Sequence, residues 1–252
     1  MSDEKSKATL LKEEIMMKGS KGAATLNAEE IKKADDFCVG YKKFLDHSPV
    51  EREAVSYTLE LAKKAGFTEY DENASYNAGD KVYYVNRDKA IALAVIGKNG
   101  VKNGARLAIA HIDSPRIDLK PNPLYEDTNL ALFKTHYYGG LKKYQWTALP
   151  LSLHGTVVKL DGTKVNITWG DDENESCFCV TDLLPHLAKD QVSKPLAKVF
   201  TGEDLNVLVG SRPYEDGNDE KDLVKLNVMS ILNKKYGIVE GDFLSAELCL
   251  IP

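Results

Sequence analysis

Arg106-Leu-Ala-Ile-Ala-His111-Ile-Asp113-Ser-Pro115 is the segment on which the fold class turns. It begins as an apolar run with strand character and ends on a polar group and a proline that stops the strand. Two further strand-like runs precede it, Val82 to Val85 and Ile91 to Ile96, separated by the polar turns Asn86 to Lys89 and Lys98 to Gly104. Ile91-Ala-Leu-Ala-Val-Ile96 is continuously apolar rather than alternating, which predicts a strand buried on both faces in a central sheet under helices. His111 would then stand at the edge of that sheet, where open α/β folds place their ligands.

Upstream, Ile31, Ala34, Cys38, Tyr41 and Leu45 recur at helical spacing and predict a helix over Ala28 to Asp46. A second helix is expected to open with Ser48 as N-cap, Pro49 at its first helical position and Glu51 completing a capping box, and to run from there to Lys64, stopping at Gly66. Downstream of Leu119 the texture changes. Pro121 and Pro123 break the chain, Leu153 to Leu160 and Lys164 to Trp169 flank the turn Asp161-Gly162-Thr163, and Thr201 to Asp222 reads as a polar loop. Asp222 to Tyr236 restores helical spacing through Leu223, Leu226, Val228 and Leu232 and ends at Gly237. The expected division is residues 1–119 as part of an α/β layer and residues 120–252 as a β-rich insert.

The chain has 252 residues, 43% hydrophobic and 28% charged, enough to bury a sizeable core. Its net charge of −5 and lack of a basic surplus argue against nucleic acid and anionic membrane as partners. Met1 to Lys12 is polar, and no run approaches the roughly 18 apolar residues of a membrane span, so a cytoplasmic location is expected. Four cysteines, Cys38, Cys177, Cys179 and Cys249, do not make a disulfide framework at this length. Cys177-Phe-Cys179 reads as two buried thiols on one strand face. Asp171-Asp-Glu173 reads as a solvated turn, and His47 and His154 as structural.

A hydrolytic metal site needs neutral imidazoles and carboxylates converging on one ion, with each imidazole held in its binding tautomer. His111 offers the imidazole, and Asp113 is close enough to orient it. The wider string Ala110-His-Ile-Asp-Ser-Pro-Arg116, followed by Leu119-Lys-Pro121, resembles the first metal-ligand motif of the aspartyl aminopeptidases, family eighteen of the metallopeptidases. Lys134-Thr-His-Tyr-Tyr-Gly-Gly140, Lys142-Lys-Tyr-Gln-Trp146, Pro150-Leu-Ser-Leu-His-Gly155, Asp182-Leu-Leu-Pro-His-Leu187 and Ala246-Glu-Leu-Cys-Leu250 are similar to the bacterial branch of that family.

The resemblance implies an α/β catalytic domain of a dinuclear zinc aminopeptidase, interrupted by a β-rich dimerisation domain. It implies two zinc ions, replaceable by cobalt or manganese, and hydrolysis of an N-terminal residue, acidic by preference, from peptide substrates. His111 would ligate one zinc and Asp113 would act as the carboxylate that orients or polarises the site. His186 lies in the stretch from which a neighbouring subunit's histidine reaches the active site in a homo-oligomer, and His136, before paired glycines, is a candidate for substrate contact. The bridging Asp, the catalytic Glu and the other ligands are expected after Pro252. The competing reading is a catalytically inactive truncated association module of the same family, whose β-domain still pairs. Separately, the strands ending at His111 are expected to expose apolar edges and faces, leaving the chain prone to associate or poorly folded alone.

Overall fold

The computed structural model describes residues 5–17, 19, 22–215 and 220–252. Part of Met1 to Lys12 and part of the Thr201 to Asp222 loop therefore lie outside the described residues. The chain divides into two compact units, Met1–His47 and Ser48–Pro252.

The first unit contains α1 (Lys7–Ile15) and α2 (Ala28–Asp46). The expected helix is present with the expected bounds. Its start is fixed by a capping box that the periodicity did not reveal: Asn27 accepts from the Glu29 and Glu30 amides, and Glu30 accepts from the Asn27 amide.

The second unit opens with α3 (Glu51–Lys64) and continues through β1 (Thr68–Glu69), β2 (Lys81–Asn86), β3 (Ala90–Val95), β4 (Arg116–Asp127), β5 (Leu130–Tyr138), β6 (Ser152–Val158), β7 (Lys164–Trp169), β8 (Cys179–Val180), α4 (Lys189–Val192), β9 (Val207–Gly210), α5 (Leu223–Tyr236) and β10 (Ala246–Ile251). The anticipated Ser48 cap does not form. Val50 occupies the N-cap position without a side-chain hydrogen bond, and the buried Ser48 hydroxyl has no partner, because the helix starts after Pro49 rather than with it.

Strands β1 to β3 form a small sheet in that order, with β1 parallel to β2 and β2 antiparallel to β3. Val55, Ala62 and Val82 are buried where α3 packs on β2 and β3. Two expectations fail here. Arg106 to His111 has no regular secondary structure and joins no ladder, so it is not a strand, and β3 is not buried on both faces: Val95 is 60% exposed. Apolar character alone specifies neither state; a strand needs a partner edge and a covering layer. Leu107 and Ile109, at 80% and 87% exposure, leave the expected apolar surface beside His111.

The other seven strands form one antiparallel sheet in the order β7-β6-β10-β4-β5-β9-β8. Single bridges from Phe178 to Leu151 and from Val180 to Thr147 carry the β8 end back toward the start of β6. The predicted hairpin is β6 and β7, paired from Leu153↔Trp169 to Val158↔Lys164. Pro121 and Pro123 do not end a strand. They fall inside β4, where its register with β5 shifts between Leu119 and Leu124, an irregularity that frees the missing amides from the ladder. The Thr201 to Asp222 segment is not wholly loop either, because it contains β9.

One face of this sheet is apolar. Ile117, Phe133, Leu153, Ile167, Val207 and Leu250 are all at or near zero exposure, and α5 closes over them with Val224, Val228 and Leu232. The i, i+4, i+8 spacing of that stripe differs from the one predicted, and Leu226 is exposed. Each such side chain stabilises the fold by roughly 1.5–3 kcal/mol. The opposite face carries Ser152, His154, Glu247, Cys249, Arg116 and Asp118, and receives the first turn of α3. β6 and β10 approach closely at Gly155, whose φ is +140°; a Cβ there would lie 1.9 Å from the Glu247 carbonyl oxygen.

Candidate metal-ligand site

His111 and Asp113 lie on the irregular segment that leads into β4, in the second unit. The His111 Nδ1 sits 3.0 Å from the Asp113 carbonyl oxygen and 3.2 Å from Asp113 Oδ1. Both partners are acceptors, so Nδ1 is the donor, and in the neutral ring this leaves Nε2 as the nitrogen able to accept or to ligate. The imidazole is 83% exposed, held by its own chain two residues ahead.

Asp113 is fixed from the other side. The Tyr138 hydroxyl donates to Asp113 Oδ2 at 2.9 Å, and this bond, more than any other contact, holds the carboxyl below its usual range. The same bond raises the Tyr138 phenol. Tyr138 is brought there by β4–β5 pairing, in which it is the direct partner of Arg116. The Arg116 guanidinium lies 4.1 Å from the Tyr138 ring centre, donates to Asp118 at 2.7 Å and to Glu51 of α3 at 2.9 Å. Burial works against this cation, but Asp118 and Glu51 outweigh it and its pKa is raised. A connected series therefore runs from His111 through Asp113, Tyr138 and Arg116 to Glu51. Gly139, at φ +78°, lets the end of β5 lie against Pro115, 3.6 Å from its would-be Cβ.

His136 is exposed on β5, opposite Asp118, on the same sheet face as Tyr138, with its ring stacked on that of Tyr137. His186 is exposed in the turn before α4, flanked by exposed Leu183, Leu184 and Leu187. No bond joins either to the His111–Asp113 pair. Tyr138 was not singled out from the sequence, although it stands inside a quoted motif; the strand pairing that assigns it to Asp113 is a tertiary fact. His154 is structural as expected. It is 2% exposed and bonded at Nδ1 to Glu53 (2.9 Å) and at Nε2 to Asp171 (3.1 Å) and Ser152 (3.0 Å). Burial opposes its charge, but the two carboxylates prevail and its pKa is raised.

As a zinc ligand His111 fits: its free nitrogen is aimed outward and its ring is oriented by a carboxylate, the arrangement metal-bound histidines use. One imidazole is not a zinc shell, which takes three or four protein ligands. Among the described residues no three His, Cys, Asp or Glu side chains converge so as to hold an ion.

An imidazole oriented by an adjoining carboxylate is compatible with metal ligation but does not by itself define a class; comparison with known proteins supplies the family. Residues 44–252 match the family model described as aminopeptidase I zinc metalloprotease (M18), and the chain belongs to that family. It is 50% identical over 216 residues to a probable M18 family aminopeptidase 1 of Clostridium acetobutylicum, covering 84% of this chain and 46% of that protein. The crystal structure of an M18 aminopeptidase from Thermotoga maritima superposes with a TM-score of 0.86 at 41% identity, covering 94% of this chain and 51% of that one. Aminopeptidase I from Borrelia burgdorferi B31 superposes with a TM-score of 0.78 at 40% identity, over 90% of this chain and 51% of the other. The chain thus spans about half the length of the relatives it matches. Among the described residues no helix is long and apolar enough to cross a membrane.

Proposed function

We propose that this chain supplies one corner of a metal-dependent aminopeptidase that removes an N-terminal residue, acidic by preference, from peptides in the cytoplasm. The observation that carries the reading is the His111–Asp113–Tyr138 arrangement: Nδ1 engaged, Nε2 free, and the orienting carboxylate itself anchored. His111 would be a ligand of one of two zinc ions, and Asp113 would hold the ring in its binding tautomer. Zinc supplies a water of lowered pKa and a Lewis acid for the scissile carbonyl. The protein's own part, within these residues, is orientation.

Residues 1–119 belong in this reading to the catalytic domain and 120–252 to a β-rich insert that pairs subunits. His186, exposed among leucines, would meet a second copy, and His136 would contact substrate. A distant structural relative, 16% identical with a TM-score of 0.57, is described as the S. cerevesiae mApe1 dodecamer, which supports self-association. The alternative reading is a catalytically inactive association module of the same family.

The two are separated by adding zinc or cobalt to the purified chain and following release of N-terminal Asp or Glu from short peptides. Release that disappears in His111→Ala supports the enzyme. A folded chain that hydrolyses nothing yet self-associates in sedimentation supports the module.

A further inference from the structure

Cys177 and Cys179 do not sit as two buried thiols. Phe178 between them points into the core at 1% exposure, edge-on to Trp169 with ring centres 4.9 Å apart. Its backbone exchanges both hydrogen bonds with Leu151, at 2.8 and 2.9 Å, so the tripeptide is extended. Alternation then turns both flanking sulfurs to the other face. Cys177 and Cys179 are both lining residues of one groove of about 580 Å3, together with Leu208, Arg212, Asn227 and Ile231. Cys177 is exposed and Cys179 partly so.

We propose that Cys177 and Cys179 form a dithiol site for a thiophilic ion that takes two sulfur ligands, trivalent arsenic being the type. The spacing argues for a bridging atom over a direct disulfide. Two residues of extended chain span about 6.6 Å between Cα atoms, at the long limit of the disulfide range and beyond its usual 5.5–6 Å. An ion between the sulfurs lengthens the bridge and relieves that mismatch, and soft ions select thiolate donors. Burial and the neighbouring Cys177 push the Cys179 thiol up, so it arrives protonated at neutral pH and gives up its proton on binding. With an organic arsenoxide the reaction balances without redox change: two As–S bonds form, the arsenic–oxygen bond is lost, and the oxygen leaves as water with both thiol protons.

The probe is phenylarsine oxide added to the whole 252-residue chain and followed by intact mass. The expected result is one equivalent bound with loss of one water, retained against excess mercaptoethanol and released by ethanedithiol. Cys177→Ser and Cys179→Ser should each lose the monothiol-resistant adduct, while Cys38→Ser keeps it. Prior blocking of the wild-type chain with N-ethylmaleimide should also abolish it, which reads the site without any substitution. A resistant adduct that survives in Cys179→Ser, or a wild-type adduct stripped by mercaptoethanol, would overturn the proposal.

Discussion

Replacing His154 with Gln tests how the polar face of the seven-stranded sheet is held. The imidazole is 2% exposed and faces a carboxylate at each ring nitrogen, while Arg52 of α3, the nearest cation in that helix, is engaged by Glu247. A neutral ring can donate to only one of them, so the arrangement is built for the imidazolium. Removing one partner of a fully buried charged pair costs about 3–5 kcal/mol. Glu53 and Asp171 are 30% and 53% exposed, so solvent recovers part of that, and a loss of about 2 kcal/mol is expected. For a unit of this size that lowers the melting temperature by roughly 4–8 °C. The sign with pH follows from the raised pKa. The stabilisation is fully present below the unfolded histidine value of about 6.5 and is lost as pH rises through the higher folded value. Thermal melts of wild type and His154→Gln at intervals between pH 5.5 and 9 should therefore converge as pH rises. A gap that stays constant or widens over that range would refute the charged-imidazole reasoning.

Gly155→Ala should prevent the close approach of β6 and β10, since its Cβ would overlap the Glu247 carbonyl at an unfavourable φ; a loss above roughly 3 kcal/mol in urea unfolding is expected. Tyr138→Phe should let the Asp113 carboxyl drift back up toward its ordinary range, read as a displaced titration of its carboxyl carbon by NMR. An unchanged titration would show that the hydroxyl does not hold it. Cys249 is buried and its thiol is pushed up to about 12, so native-state maleimide labelling should modify Cys38 and Cys177 and spare Cys249 until the chain is unfolded. Labelling of all three at similar rates would contradict that burial.

Much of the local structure was legible before any coordinates. α2 has both expected ends because its apolar residues keep helical period, and α5 stops where Gly237 takes a left-handed conformation. The β6–β7 hairpin follows from its turn chemistry. Apart from the local Ser48 cap, what failed depends on a segment distant in the chain. Arg106 to His111 has strand-like side chains but no ladder. β3 has a core-like composition but is covered, by α3, on one face only. β4 passes through two prolines because its partner β5 accepts a register shift. At the candidate site His111 and Asp113 were visible as neighbours in the chain, whereas Tyr138 becomes their anchor only through Arg116↔Tyr138 pairing across a hairpin.

The first turn of α3 has a consequence for how the small sheet and the large one are assembled. Glu51, Arg52 and Glu53 bond Arg116, Glu247 and His154, each at 2.9 Å. Those three partners stand on β4, β10 and β6, which are adjacent in the sheet in that order. The helix therefore offers minus, plus, minus to a sheet that reads plus, minus, plus. Sliding the helix by one strand in either direction, about 4.8 Å, would set Arg52 against a cation and one of the glutamates against Glu247. Three consecutive residues thus act as a vernier: one seating matches, and its nearest alternatives are repelled by charge rather than merely less favourable.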